Sequence, residues 1–420
     1  MSHRATFVRL AALVAFAVVA CGRPPVARAD ASAASAVAAP VTAPGKLRGT
    51  THLKVLVPDG DNLQYLSFWV AQGAGYVADE GLDVELVIPE LPAQAIAKML
   101  AGDAPVAVLP PPVYLQLIAD RFPIELVANL LQNDPIDLVV RRSVFDARKM
   151  NASAPLRDRL LSLKGLRVGI APNPPVRLRA LFASEGLDAD AVVKLVIRHG
   201  KDQNAAFAHD DCDALYAHTP FLEQAIDDQD AVVLVNQSGG DAPALAMRQI
   251  HAIVARREFL ETDRPVVDAL VRAVARAEQL VHADRAAAEA AILRALPSLD
   301  ARHVHTIVGL YQAAVPETPR VRVEGLAPAL ALFPANRRAP SLDGVPLAEF
   351  VAGGVLDEAN RASPGALLTT PAPSPGTPPA RISASPSSRL RGLIALAGAL
   401  LVAGALVLAR VRRRVARDGG

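Results

Sequence analysis

The chain has 420 residues, 51% of them hydrophobic but only 4% aromatic, and 44 basic against 42 acidic side chains give a net charge of +2. That length is too great for one ordinary core and suits two α/β lobes with accessory segments, filled mainly by Ala, Val and Leu. A near-neutral balance with no basic stripe through the central region argues against a nucleic-acid binder.

The first 21 residues have the parts of a secretory leader. Arg4 and Arg9 flank the start of an apolar run, Leu10–Ala20, that is too short to span a bilayer. Val18-Val19-Ala20-Cys21-Gly22 resembles a lipoprotein signal box with Cys21 as the lipidated residue, and Ala27-Arg28-Ala29 is the rival cleavage site. Residues 22–50, rich in Ala, Pro and Ser, read as a disordered tether.

Folding signals begin at Thr51. His52–Val57 predicts a strand, and Leu63, Leu66, Ser67, Val70, Ala74 and Val77 share one face of a helix. Val84–Ile88 predicts a second strand, and Ala93, Ile96, Ala97 and Leu100 mark a second helix. Val106–Leu109 predicts a strand running into Pro110-Pro111-Pro112, followed by a helix over Val113–Ala119 and a strand over Ile124–Leu130. After Asn133-Asp134-Pro135 the pattern restarts with a strand at Asp137–Arg141. Strands at Val192–Ile197, Ala214–Ala217 and Ala231–Val235 then alternate with helices at Pro175–Glu185, Gln203–Ala208 and Pro220–Ile226. From Arg256 to Val315 helical periodicity dominates, with Val267, Leu270, Val271, Val274, Ala277 and Leu280 in one stripe. This alternation implies mainly parallel sheets with helices on both faces.

The C-terminal end reads differently. Residues 362–389 are a Pro/Ser-rich linker that cannot bury enough surface to offset its ordering entropy. Residues 390–409 read as a transmembrane helix, for Gly392–Ala409 holds no charge and would be about 27 Å long as a helix. Arg410, Arg412, Arg413, Arg414 and Arg417 follow in the 410–420 tail, which the positive-inside rule puts in the cytoplasm.

Three stretches resemble periplasmic solute-binding proteins of the nitrate/sulfonate/taurine and thiamine-precursor group. They are Gly75-Tyr76-Val77-Ala78-Asp79-Glu80-Gly81-Leu82-Asp83-Val84-Glu85, Leu163-Lys164-Gly165-Leu166-Arg167-Val168-Gly169-Ile170, and Asp213-Ala214-Leu215-Tyr216 followed by Thr219-Pro220. The resemblance implies an α/β, two-lobed type II periplasmic-binding-protein-like fold with a cleft over residues 51–361. Lobe one would comprise 51–133 and 244–361 and lobe two 134–243, with hinge crossings near Gln132–Pro135 and Asp241–Ala244. It also implies capture of a small-molecule ligand for an ABC permease, on the extracytoplasmic side and anchored to the membrane by the C-terminal helix and the Cys21 lipid.

In open α/β sheets ligands bind beyond the C-terminal ends of strands. Asp59, Asp61, Asn62, Gln64 and Tyr65 follow the first strand, and Pro110, Pro111 and Tyr114 the third. Asn133 sits at the crossover; Asn173, Pro174 and Arg177 follow the first strand of lobe two, and His218 and Thr219 open a later helix. The ligand-binding expectation is therefore Asp61, Asn62, Gln64, Tyr65, Pro111, Tyr114, Asn133, Asn173, Arg177, His218 and Thr219. Related anion binders place Gly, Ser or Thr where this chain has Ala171-Pro172-Asn173-Pro174-Pro175. Prolines remove backbone donors, which shifts the expectation towards a neutral or cationic ligand, while Arg177 and Arg179 keep an anionic one open.

No catalytic set, cofactor or metal site is expected. His209-Asp210-Asp211-Cys212-Asp213 has metal-like residue types but reads as a solvated turn, and no G-x-S-x-G, H-E-x-x-H or phosphate-binding lysine loop is present. A sensor or scaffold that signals through the membrane helix is the main alternative. An enzyme like the synthase among the thiamine-precursor relatives is the other, though the cysteine-rich motif of that enzyme is missing.

Overall fold

The computed structural model describes residues 47, 49–90, 94–332, 342–353 and 381–382. The leader with Cys21, nearly all of the tether and linker, the 390–409 run and the 410–420 tail lie outside the described residues. Among the described residues no helix is long and apolar enough to cross a membrane.

The chain forms two mixed α/β sheets. Strands β1 (Thr51–Leu56), β2 (Leu82–Val87), β3 (Val106–Leu109) and β4 (Ile124–Asn129) build the first; β5 (Asp137–Arg141), β6 (Arg167–Ile170), β7 (Lys194–Ile197), β8 (Ala214–Ala217) and β9 (Ala231–Val235) build the second. The chain then returns to the first sheet as β10 (Ala252–Arg256), and β11 (Arg381–Ile382) lies along β2. The orders are β11-β2-β1-β3-β10-β4 and β7-β6-β8-β5-β9.

Neither sheet is wholly parallel. β10 runs antiparallel to β3 and β4, and β5 runs antiparallel to β8 and β9. These are the strands laid down directly after the chain passes from one sheet to the other, so each enters from the crossing edge and runs against its neighbours. The C-terminal ends of β1, β3 and β4 therefore share an edge with the N-terminal end of β10. The ends of β6, β8 and β9 likewise share an edge with the start of β5. Hydrophobic periodicity does not mark β10, because its five residues run without a turn into the helix Arg257–Ala283.

The single helix expected over residues 63–77 is three pieces: a 3-10 turn Leu63–Tyr65, a helix Leu66–Gly73 and a turn Tyr76–Asp79. Gly75, at φ 79°, takes the left-handed conformation that separates the last two. All six residues of the predicted face are buried nonetheless. The next helix, Ala95–Ala101, is rotated from the expected stripe: Ala95 and Met99 are buried, whereas Leu100 is 41% exposed. Pro111 and Pro112 occupy the first turn of the helix Pro111–Ala119, where a missing N–H costs nothing.

The Gly-Tyr-Val-Ala-Asp-Glu-Gly phrase is a packing device. Arg276 donates to Asp79 at 2.9 Å and stacks 4.0 Å over the Tyr76 ring, and Arg272 grips Glu80 at 2.8 Å. These contacts lock the helix Arg257–Ala283, which buries Val267, Leu270, Val271, Val274 and Ala277, across the turn that leads into β2. The helix Arg285–Ala295 follows, capped by Asp284, whose side chain accepts from Ala287 N at 3.0 Å.

Gly73 lets that helix sit directly on Leu66–Gly73. A Cβ there would fall 1.8 Å from the Ala291 carbonyl oxygen. Gly73→Ala is therefore expected to push the two helices apart at a cost of about 1–3 kcal/mol, read as a lowered midpoint in chemical denaturation.

Candidate functional site

The two sheet edges meet where the chain crosses. Leu130 N donates to His251 O at 2.8 Å, Ile250 N to Leu131 O at 2.9 Å and Asn133 N to Met247 O at 2.8 Å, so the two crossings are paired like strands. Asn133, at φ 62°, also donates through Nδ2 to Ser238 O at 3.2 Å. The buried Asp137 carboxylate accepts from Ser238 N at 2.9 Å and Ser238 Oγ at 2.8 Å. Tyr311 closes the group from the helix Ala301–Tyr311, its hydroxyl donating to Pro135 O at 2.6 Å.

Charged and polar side chains from both sheets converge beside this joint. Arg177 extends from the helix Pro175–Ser184 to Asp134 on the first crossing, Nη1 to Oδ1 at 2.7 Å. Both side chains are buried, Asp134 almost completely. Burial raises the Asp134 pKa, and the Arg177 guanidinium offsets part of that rise. Tyr216, at the end of β8, donates to Gln237 Oε1 at 3.1 Å.

His218 follows β8, with Nδ1 against the Thr219 carbonyl. A carbonyl only accepts, so Nδ1 carries the proton and Nε2 is left as an acceptor in the neutral ring. Burial holds His218 down to about 4, assisted by Arg177. His251, just ahead of β10, is 2% exposed and meets Tyr65 edge-on at 5.3 Å between ring centroids. Burial pulls its pKa down to about 3, and the neighbouring His218 and Arg177 add to the effect. The junction thus holds the Arg177 guanidinium already paired with Asp134, and its two imidazoles are neutral at pH 7.

The structure brings Tyr65, Asn133, Arg177, His218 and Thr219 to this junction. Thr219 is fully buried, its hydroxyl donating to Glu223 at 2.6 Å. Asn62 is used as a cap, its Oδ1 accepting from Gln64 N at 2.9 Å while its carbonyl accepts from Trp69 Nε1 at 2.9 Å. Gln64 is buried in the same turn. Tyr114 donates to Ile250 O at 2.7 Å, and Pro111 is buried in the first turn of its helix. Asp61 and Asn173 are exposed.

The prolines thin out the loop amides. Pro110 O accepts from Val113 N and Tyr114 N, and Pro174 O from Arg177 N and Leu178 N. Cys212 is buried and free, and Asp213 is held by Arg167 at 2.7 Å. Among the described residues no group of three or more His, Cys, Asp or Glu is arranged to hold a metal ion.

His251, Asp134 and Gln237 were not singled out from the sequence. The rule applied there looks beyond the C-terminal ends of strands, whereas an antiparallel strand presents its N-terminal end to the same edge. His251 heads β10 and Asp134 precedes β5, so both fall on the side of the strand that the rule ignores.

Arg177→Met would strand a buried carboxylate. The expected loss at pH 7.5 is about 3–5 kcal/mol, and it should shrink as acid protonates Asp134 or when Asp134→Asn is added. Denaturant midpoints of the single and double variants across pH check this.

Residues 62–288, more than half of the chain, match the model of the NMT1/THI5-like family. No curated protein matches the chain. Among solved structures, the periplasmic nitrate-binding protein NrtA of Synechocystis PCC 6803 is similar at 14% identity, over 78% of this chain and 93% of its own, with a TM-score of 0.53. The alkanesulfonate-binding protein SsuA of Xanthomonas axonopodis pv. citri, bound to MOPS, is similar at 17% identity over 73% and 99%, with a TM-score of 0.51. The desulfurization enzyme DSZB, as a mutant in complex with biphenyl-2-sulfinic acid, is similar at 15% identity over 74% and 99%, with a TM-score of 0.50. At these identities the likeness is one of fold, the two-lobed fold of periplasmic binding proteins. The family match, the two sheets and the paired crossings together make this chain a member of the NMT1/THI5-like family.

Proposed function

We propose that this protein captures a small solute between its two lobes, outside the cytoplasm, and delivers it to an ABC-type permease. The observation that carries the reading is the junction itself. Side chains from opposite sheets, Tyr65 and His251 from one and Arg177 and His218 from the other, converge beside two paired crossings that can act as a hinge. Such a joint lets a ligand touching both lobes bias an open–closed equilibrium, which is how a permease would distinguish loaded from empty protein. The nitrate- and sulfonate-binding roles of structural neighbours agree with this reading.

Binding rather than turnover is favoured by the state of Cys212. It is fully buried, and burial pushes its thiol up to about 11, so it is no ready nucleophile. The uncharged run Gly392–Ala409 and the arginines after it support membrane anchoring with the body outside. The same run favours a second reading, a sensor or scaffold acting through its membrane segment; a permease encoded beside the chain favours import, and a signalling kinase favours sensing.

The experiment is a thermal-stability screen of the full chain in detergent against nitrate, sulfonates, amino acids, polyamines and uncharged heterocycles. A true ligand at a hundred times its dissociation constant adds about 2.7 kcal/mol, or about 2–10 °C in the melting temperature. A well-folded chain that no solute stabilises contradicts capture and favours the scaffold reading.

A further inference from the structure

His251 is fully enclosed, yet neither ring nitrogen has a hydrogen-bond partner among the described residues. Leaving buried polar atoms unsatisfied costs about 1–3 kcal/mol each, so such an arrangement in a core calls for an explanation. Other buried atoms at or beside the crossings are in the same condition, among them Asp134 Oδ2, Asn129 Oδ1 and the amide nitrogens of Gln237 and Gln249. A side-chain hydrogen bond from Gln237 helps lower the Asp134 pKa, so these two groups answer each other in part, whereas the two His251 nitrogens have no such partner. These atoms come from both sheets and from both crossings, and no packing or capping role accounts for the two His251 nitrogens.

We propose that His251 is a ligand contact of the interlobe site, and that the ligand is an uncharged solute carrying N–H or O–H donors beside a carbonyl-type acceptor. This rests on the capture reading and adds to it the residue and the ligand class. The unsatisfied set decides the class. A neutral His251 offers one donor and one acceptor, Gln237 offers donors, and Asp134 Oδ2 and His218 Nε2 offer acceptors.

Nitrate and sulfonates have only acceptors at neutral pH. Within this site they could accept from His251 and Gln237 but would leave a carboxylate oxygen and two imidazole lone pairs without donors, with the Arg177 charge already answered by Asp134. After Pro110 the loop adds few compensating amides, since Pro110–Pro112 carry none and Val113 N and Tyr114 N are taken by the Pro110 carbonyl. Burial keeps both imidazoles in their neutral forms, which maintains the mixed donor–acceptor character. A solute with an amide-like edge can satisfy His251 on both nitrogens and still donate to the acceptors of lobe two.

The test is isothermal calorimetry on the full chain with five probes: nitrate, methanesulfonate, uracil, succinimide and nicotinamide. At least one uncharged probe should bind, with nitrate and methanesulfonate about a hundredfold weaker or silent. His251→Phe should weaken the uncharged probe about tenfold or more without lowering the melting temperature, because it replaces unsatisfied polar atoms with an apolar ring. His251→Gln keeps a donor and an acceptor and should retain binding within about threefold.

Tighter binding of nitrate or methanesulfonate overturns the ligand class while leaving capture standing. Unchanged affinity in His251→Phe overturns the assignment of His251. Silence from all five probes contradicts capture itself, and this inference with it.

Discussion

Everything in this molecule is arranged around one backbone interaction, the pairing of the two chain crossings. Residues 130–133 and 247–251 exchange hydrogen bonds as if they were adjacent strands. The pairing fixes where β10 enters the first sheet and where β5 enters the second, and so which strand ends face each other. Asp137 and Ser238 brace the joint on one side, and Tyr311 with Pro135 on another. A buried carboxylate clamped to a backbone amide and a hydroxyl is a specific contact, and it tolerates little change in register. Rotation of the lobes would have to be absorbed in the few residues between these braces.

The polar groups at the joint are costly for a fold to carry. Asp134 and Arg177 are both desolvated, and an ion pair of that kind contributes little net stability beyond satisfying its own members. His251 lacks even that compensation. A core that served stability alone would hold Leu or Phe at these positions. Functional sites are where local rules of burial are broken, and the two crossings and the strand ends beside them hold several such breaches.

Much of the architecture was legible in the sequence, because the strands are short runs of Val, Leu and Ile bounded by Gly, Pro or Asn. β3, β5, β8 and β9 match their expected bounds. The Gly75–Glu85 phrase was read for its resemblance, and its chemistry proves to be structural: two glycines at positive φ, and acids and a ring that hold Arg272 and Arg276. The stripe expected from Ile96, Ala97 and Leu100 differs from the buried Ala95 and Met99, because the alanines that make up much of this helix mark no face by themselves. The residues that the structure brings to the candidate junction were half legible. Tyr65, Asn133, Arg177 and His218 follow from a rule about parallel strands, whereas His251 and Asp134 depend on antiparallel strands that only long-range pairing creates. Asn62 and Tyr114 are residue types that suit a ligand; Asn62 also caps its own turn and Tyr114 bonds the distant Ile250 carbonyl.

The most direct test of solute capture is native mass spectrometry of the full chain after incubation with a metabolite extract, recorded folded and then denatured. The account predicts a discrete noncovalent small-molecule adduct on the folded protein that vanishes on unfolding. A folded protein whose mass equals its covalent mass in every condition would contradict it.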